Sequence, residues 1–160
     1  MPVSPEPGGS ATVEALYQEL ILDHYRRPRH KGVLGPPAVS ATVANPVCGE
    51  TMTVAATVED GRVREVMFTG QSCAISQASA SMMTDLVRGM SGAEVSTLLA
   101  RLAELLKGNA EAARDPALGD LRALAGVARI PIRIPCALLS WRGLLKALAS
   151  EPGVDHPVTL

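Results

Sequence analysis

At 160 residues, 47% of them hydrophobic, the chain is long enough to build one ordinary domain around its own core. A net charge of −1 argues against a nucleic-acid binder that works through bulk electrostatics. One Phe, one Trp and two Tyr supply no stacking platform for single strands and require an aliphatic interior.

Residues 1–11, rich in Pro, Gly and Ser, read as a disordered tail, as does 151–160 with Pro152, Gly153 and Pro157, leaving 12–150 as a single domain. No charged stretch backed by an apolar run opens the chain, and no apolar run reaches bilayer length. Thr12 is placed to cap a helix to Arg27, with Leu16, Tyr17, Leu20 and Ile21 at helical spacing and Pro28 as the stop. A loop with Gly32, Gly35, Pro36 and Pro37 leads into a strand near 39–44. Strand-like runs at 51–58 and 62–68 flank Asp60-Gly61, a two-residue hairpin signal. In a hairpin closed there, opposed positions sum to 121, as for Val58 and Val63, so at the open end Cys48 falls opposite Cys73. Glu50 points to the side of Cys48, because strand side chains alternate with period two.

Ser72 is then placed to cap a helix from Cys73 to about Arg88, with Ile75, Ala78, Met82 and Leu86 along one stripe. Ser91 caps the next, Glu94 completing a capping box, and that helix ends near Gly108. A short helix is expected within 116–126, an extended stretch over 130–135, and a last helix over 136–149 with Leu138, Leu139, Trp141 and Leu145 as packing residues. Together these predict an α+β fold, a three-stranded antiparallel sheet with helices packed on one face.

The three cysteines carry the chemistry. An odd count without a secretion signal points to a reducing cytoplasm, where thiols serve more often as ligands or nucleophiles than as staples. Cys73 and Cys136 both fall where a helix begins, and the free N–H groups there favour the thiolate. Cys48 lies in a Pro46/Gly49 turn. With Glu50 they make three thiols and one carboxylate, a set suited to tetrahedral coordination of zinc or to iron–sulfur chemistry rather than to magnesium or calcium. No pair has the spacing of a zinc finger, so a centre assembled from distant segments reads as functional. Two plainer readings stay open: small buried hydrophobes, or a Cys48–Cys73 disulfide, which the inferred compartment disfavours.

The same residues carry a family resemblance. Asn45-Pro46-Val47-Cys48-Gly49-Glu50 resembles the Asn-Pro-x-Cys-Gly-Asp motif of the U-type iron–sulfur assembly proteins, the group of IscU and the NifU N-terminal domain. Residues 68–76 and 78–83 around Cys73 look like its second motif. Leu22-Asp23-His24-Tyr25 with Pro28-Arg29, Leu118-Gly119-Asp120-Leu121, and 133–141 around Cys136 match as well. Within that family the chain is similar to the SufU branch: 63 positions separate Cys73 from Cys136, and Pro135 stands where IscU-type scaffolds have a histidine. The resemblance implies zinc held by Cys48, Glu50, Cys73 and Cys136, with Cys48 accepting sulfur from a SufS-type cysteine desulfurase and Arg133 working with that enzyme. It also implies delivery toward downstream Suf scaffold proteins. The alternative within the family is a scaffold, on which iron and a transient [2Fe–2S] cluster use the same ligands. Glu50 departs from the motif's aspartate by one methylene, and Ser72 replaces a glycine.

Other residues carry lesser claims. His24, Asp23, Asp120 and Trp141 read as structural, and Met82-Met83 as core filler. Arg26, Arg27, Arg29, His30 and Lys31 form a basic cluster that reads as a solvated helix end, or as a dock for an acidic face of the desulfurase.

Overall fold

A computed structural model describes residues 10–150, with side chains from 14 onward, so the two predicted tails lie almost wholly outside the described residues. Helix α1 spans Ser10–Arg26 and is followed by strands β1 (Val39–Asn45), β2 (Glu50–Glu59) and β3 (Arg62–Gln71). Helices α2 (Ala74–Leu86), α3 (Gly92–Leu106) and α4 (Ala110–Ala113) come next, then 3-10 segments at Pro116–Arg129 and Pro131–Arg133, and finally α5 (Ile134–Ala149). The strands form one antiparallel sheet in the order β1-β2-β3, as expected. Among the described residues no helix is long and apolar enough to cross a membrane.

Packing follows the pattern of the strands. Met52, Val54 and Ala56 of β2 and Val63, Val66 and Phe68 of β3 are buried beneath the helices, with Leu99, Leu102, Leu124 and Trp141 completing an aliphatic core. Helix α5 lies against β1 and β2. Gly143 permits that approach, since a Cβ there would stand 2.8 Å from Val54 Cγ2.

Three departures from the sequence reading bear on the site. A bulge between Thr57 and Val58 shifts the hairpin: Val58 pairs with Val63, but Thr57 pairs with Glu65 and Thr51 with Gln71. The predicted opposition of Cys48 and Cys73 is therefore lost, and β2 in any case starts at Glu50, whose partner is Asn45 of β1. Second, Cys73 rather than Ser72 is the N-cap of α2, without a side-chain cap bond; the Ser72 hydroxyl accepts instead from Gln77 Nε2 at 2.7 Å. Third, 130–135 is not extended: Pro131 opens a 3-10 turn and α5 begins at Ile134, two residues early. Proline's fixed φ suits a helix's first turn as well as an extended chain.

Elsewhere the differences are small. α1 begins two residues before Thr12. Residues 116–129 form 3-10 turns kinked at Gly119 (φ 50°) instead of a short helix. α4 was not anticipated; Asn109 caps it by accepting from Ala112 N at 3.0 Å. The Ser91 cap forms as expected, its hydroxyl accepting from Glu94 N at 3.2 Å.

A polar seam ties α1 to α2 and the 3-10 segment. His24 is 1% exposed; its Nε2–H donates to Asp120 Oδ2 at 3.0 Å, and Nδ1 lies 2.7 Å from Ser81 Oγ, which also accepts from Arg29 N at 2.8 Å. Arg27 and Arg29 of the basic cluster both pair with Asp23. Their hydrogen bonds, Arg29's before Arg27's, hold the Asp23 carboxyl below its ordinary 3.8.

Candidate metal centre

The three cysteines sit on three separate stretches of chain. Pro46–Gly49 is the tight turn joining β1 to β2, with Gly49 at φ 66° and Cys48 N donating to Asn45 O at 3.3 Å. The turn leaves Cys48 exposed. Cys73 sits at the start of α2, and Cys136 in the first turn of α5, where it is fully buried. All three cysteines are free.

Cys48 Sγ lies 3.8 Å from Cys136 Sγ. One ligand atom each from Cys48, Glu50 and Cys136 lies within 4.8 Å of the others. Cys73 falls outside that trio but borders it: its N–H donates to Glu50 Oε2 at 2.7 Å, and its Sγ lies 3.6 Å from Ser76 Oγ. The donors fit zinc: a tetrahedron with bonds of about 2.3 Å to sulfur has edges of about 3.8 Å. Convergence thus arises from the β1–β2 turn and two helix starts, not from the cross-strand register.

Electrostatics split the groups. Burial raises the Glu50 pKa, but the Cys73 N–H and then the hydrogen bonds of Cys136, Ser76 and Cys73 outweigh it and bring it to about 2. Cys136 goes the other way: burial first, then the Glu50 carboxylate and the neighbouring thiols, push it up to about 12. A carboxylate held charged beside a thiol held neutral is an arrangement that a cation completes, because metal coordination deprotonates a thiol outright. Arg133 stands at the same centre, its pKa raised first by a hydrogen bond to Cys136 and then by the charge of Cys73.

Two residues absent from the predicted ligand set also face the site. Ser76 and Asn45, both buried, bond Glu50. Asn45 had a signal in its place three residues before Cys48, and Ser76 in its place three after Cys73. Val47, the neighbour of Cys48 in sequence, and Ile132, the neighbour of Arg133, are exposed apolar side chains. His24, by contrast, is taken up by its seam and stands apart from the thiols.

Comparison with known proteins places this geometry in context. Residues 16–137 match the family described as the NifU-like N-terminal domain. The chain is 38% identical over 144 residues to the zinc-dependent sulfurtransferase SufU of Bacillus subtilis, covering 90% of this chain and 97% of that one. It is 37% identical over 142 residues to the iron–sulfur cluster assembly scaffold protein IscU of Streptococcus pyogenes, covering 88% and 87%. In structure it resembles a putative iron–sulfur cluster assembly scaffold protein for the SUF system from Fervidobacterium islandicum, with a TM-score of 0.74, 27% identity, and coverage of 88% and 99%.

Proposed function

The chain belongs to the NifU-like N-terminal domain family, and from that premise we propose that it serves iron–sulfur cluster assembly as a zinc-dependent sulfur acceptor. One observation carries the reading: the ligand atoms of Cys48, Glu50 and Cys136 lie within 4.8 Å of one another with Cys73 alongside. The extent of the likeness to a zinc-dependent sulfurtransferase, 97% of that relative's length, supports it.

Cys48, Glu50, Cys73 and Cys136 would hold the ion. Zinc, when bound, keeps the thiols deprotonated at neutral pH and lowers their exposure to oxidation. Cys48 is the acceptor because it is the exposed thiol of the three. Its thiolate attacks the outer sulfur of a persulfide on the partner's cysteine. The partner's S–S bond breaks, a new S–S bond forms at Cys48, and the electron pair leaves on the partner's cysteine thiolate, so no outside oxidant or reductant is consumed. Arg133 supplies positive charge beside the thiols, where the sulfur step moves an electron pair.

The partner is a cysteine desulfurase of the SufS type, docking where Cys48 is exposed, with exposed Val47 next to it in the chain and exposed Ile132 next to Arg133. Downstream Suf scaffold proteins are the proposed recipients. Three free thiols suit the reducing cytoplasm, and residues 12–150 are taken as the single working domain. Cys48→Ala abolishes stimulation of the desulfurase on this reading; full stimulation by that variant would overturn it.

The scaffold reading is favoured by the likeness to the IscU protein of Streptococcus pyogenes. There a [2Fe–2S] cluster is cargo, built on the same thiolates and passed on. Anaerobic reconstitution separates the two: a stable cluster on the purified protein supports the scaffold, and tight stoichiometric zinc with desulfurase stimulation supports the sulfur acceptor.

A further inference from the structure

Two neutral side chains grip the carboxylate of the centre. Ser76, on α2 and 0% exposed, places Oγ 2.7 Å from Glu50 Oε2, 3.0 Å from the Cys136 carbonyl oxygen and 3.6 Å from Cys73 Sγ. Asn45, the last residue of β1 and 6% exposed, directs Nδ2 to Glu50 Oε1 at 3.2 Å, with Cys136 Sγ at 3.7 Å. Each touches more than one group of the ligand set, from a different element of the fold.

The two oxygens of Glu50 are held unequally. Oε2 accepts two short bonds, from Cys73 N at 2.7 Å and from the Ser76 hydroxyl. A serine hydroxyl has one proton, and a charged carboxylate outcompetes the neutral Cys136 carbonyl for it. Apart from the thiols, which give up their protons when they bind a metal, Oε1 receives one longer bond, from an amide. An oxygen that already accepts two short bonds, one of them from a helix N-terminus, has little left to give a cation; the other oxygen has most of its capacity free. Glutamate has the reach to sit among the thiols while touching the start of α2.

We propose that Ser76 and Asn45 are positioning residues of the metal centre. Ser76, with the Cys73 N–H, ties Oε2 to the start of α2, and Asn45 steers Oε1 toward the thiols, so the carboxylate presents one oxygen. This rests on the zinc reading above. Neither residue is a ligand or takes part in the sulfur step; both act through Glu50.

The test uses the full chain with Ser76→Ala, Ser76→Thr and Asn45→Ala. Zinc affinity is measured by chelator competition, and ligand geometry from the visible spectrum of the cobalt(II)-substituted protein. Ser76→Ala is expected to weaken zinc binding by about 10-fold or more and to shift the cobalt bands, as loss of an outer partner of a metal ligand does. Ser76→Thr, which keeps the hydroxyl, is expected to restore affinity to within about threefold, and Asn45→Ala to fall between the two. Metal-free melting temperatures report packing separately. Wild-type affinity and cobalt spectrum in Ser76→Ala, or a lower melting temperature with affinity intact, overturn the proposal. If Ser76→Ala does not fold, Asn45→Ala decides: unchanged zinc affinity overturns the proposal, weakened affinity supports it. A wild-type protein that binds neither zinc nor cobalt instead ends the zinc reading itself.

Discussion

Helix α2 contributes polar side chains to two buried places, and they are finished in different ways. At its middle, Ser81 meets His24, which meets Asp120, and the Arg29 N–H closes the set. Each of these polar atoms finds its partner within the protein, as buried polar groups do when their task is to hold elements together. At its start, the Glu50 carboxylate is well supplied, but the thiols of Cys48, Cys73 and Cys136 chiefly face one another and the carboxylate, and Cys136 is pushed up to about 12. Thiols gathered around a charged carboxylate make a set that a thiophilic cation suits. The contrast separates a structural histidine from a ligand set more surely than residue type does.

Substitutions can break that contrast at either end. Cys48→Ala is expected to have the largest functional effect, reducing desulfurase stimulation to background while the melting temperature of the metal-free protein stays within a few degrees, since Cys48 is exposed on a turn. A collapse in metal-free stability with sulfur transfer intact would assign the thiol to packing instead. His24→Ala should act the other way, costing about 3 kcal/mol in urea unfolding by orphaning buried Ser81 and leaving a cavity. Its zinc stoichiometry should be unchanged; lost zinc would join the two regions into one site.

Stripping zinc from the loaded protein sharpens the comparison further. Stability should fall by about 2.7 kcal/mol from that at a hundredfold excess of zinc over the dissociation constant. The sheet and its aliphatic core should persist, read as an intact far-ultraviolet dichroism spectrum. Unfolding on metal removal would recast the centre as structural. The smallest effect concerns acid. Asp23 titrates below its ordinary 3.8 because Arg29 and then Arg27 bond it. Its folded pKa lies under the unfolded one, so its contribution is complete at neutral pH and fades as pH drops below about 4. Asp23→Asn should flatten that acid slope and leave the neutral range unchanged.

Much of this was legible locally. Asp60-Gly61 announces its hairpin, and Ser91 with Glu94 announces a helix start, because both signals lie within four residues. The bulge was less visible. Its trace is the three-residue step from Val63 to Val66, both buried, where an unbroken strand steps by two; with Arg64 and Glu65 between them it passed for ordinary alternation. The segment from Pro131 to Pro135 misled because proline's φ serves two conformations. The four proposed ligands stand out by spacing and motif, whereas the register that sets Cys48 opposite Cys73 fails at the bulge. Ser76 and Asn45 were missed because a supporting role is defined by distances between elements, which no local pattern encodes.

The order of the elements has a last consequence. Cys48 and Cys73 lie in the first half of the polypeptide, whereas Cys136 rides on α5, the helix that also covers β1 and β2. A ribosome delivers that helix after every other described element. Until it emerges the growing chain has two of the three thiols and lacks the helix that packs on β1 and β2, so on the zinc reading a nascent chain grips the ion only once α5 has joined the sheet.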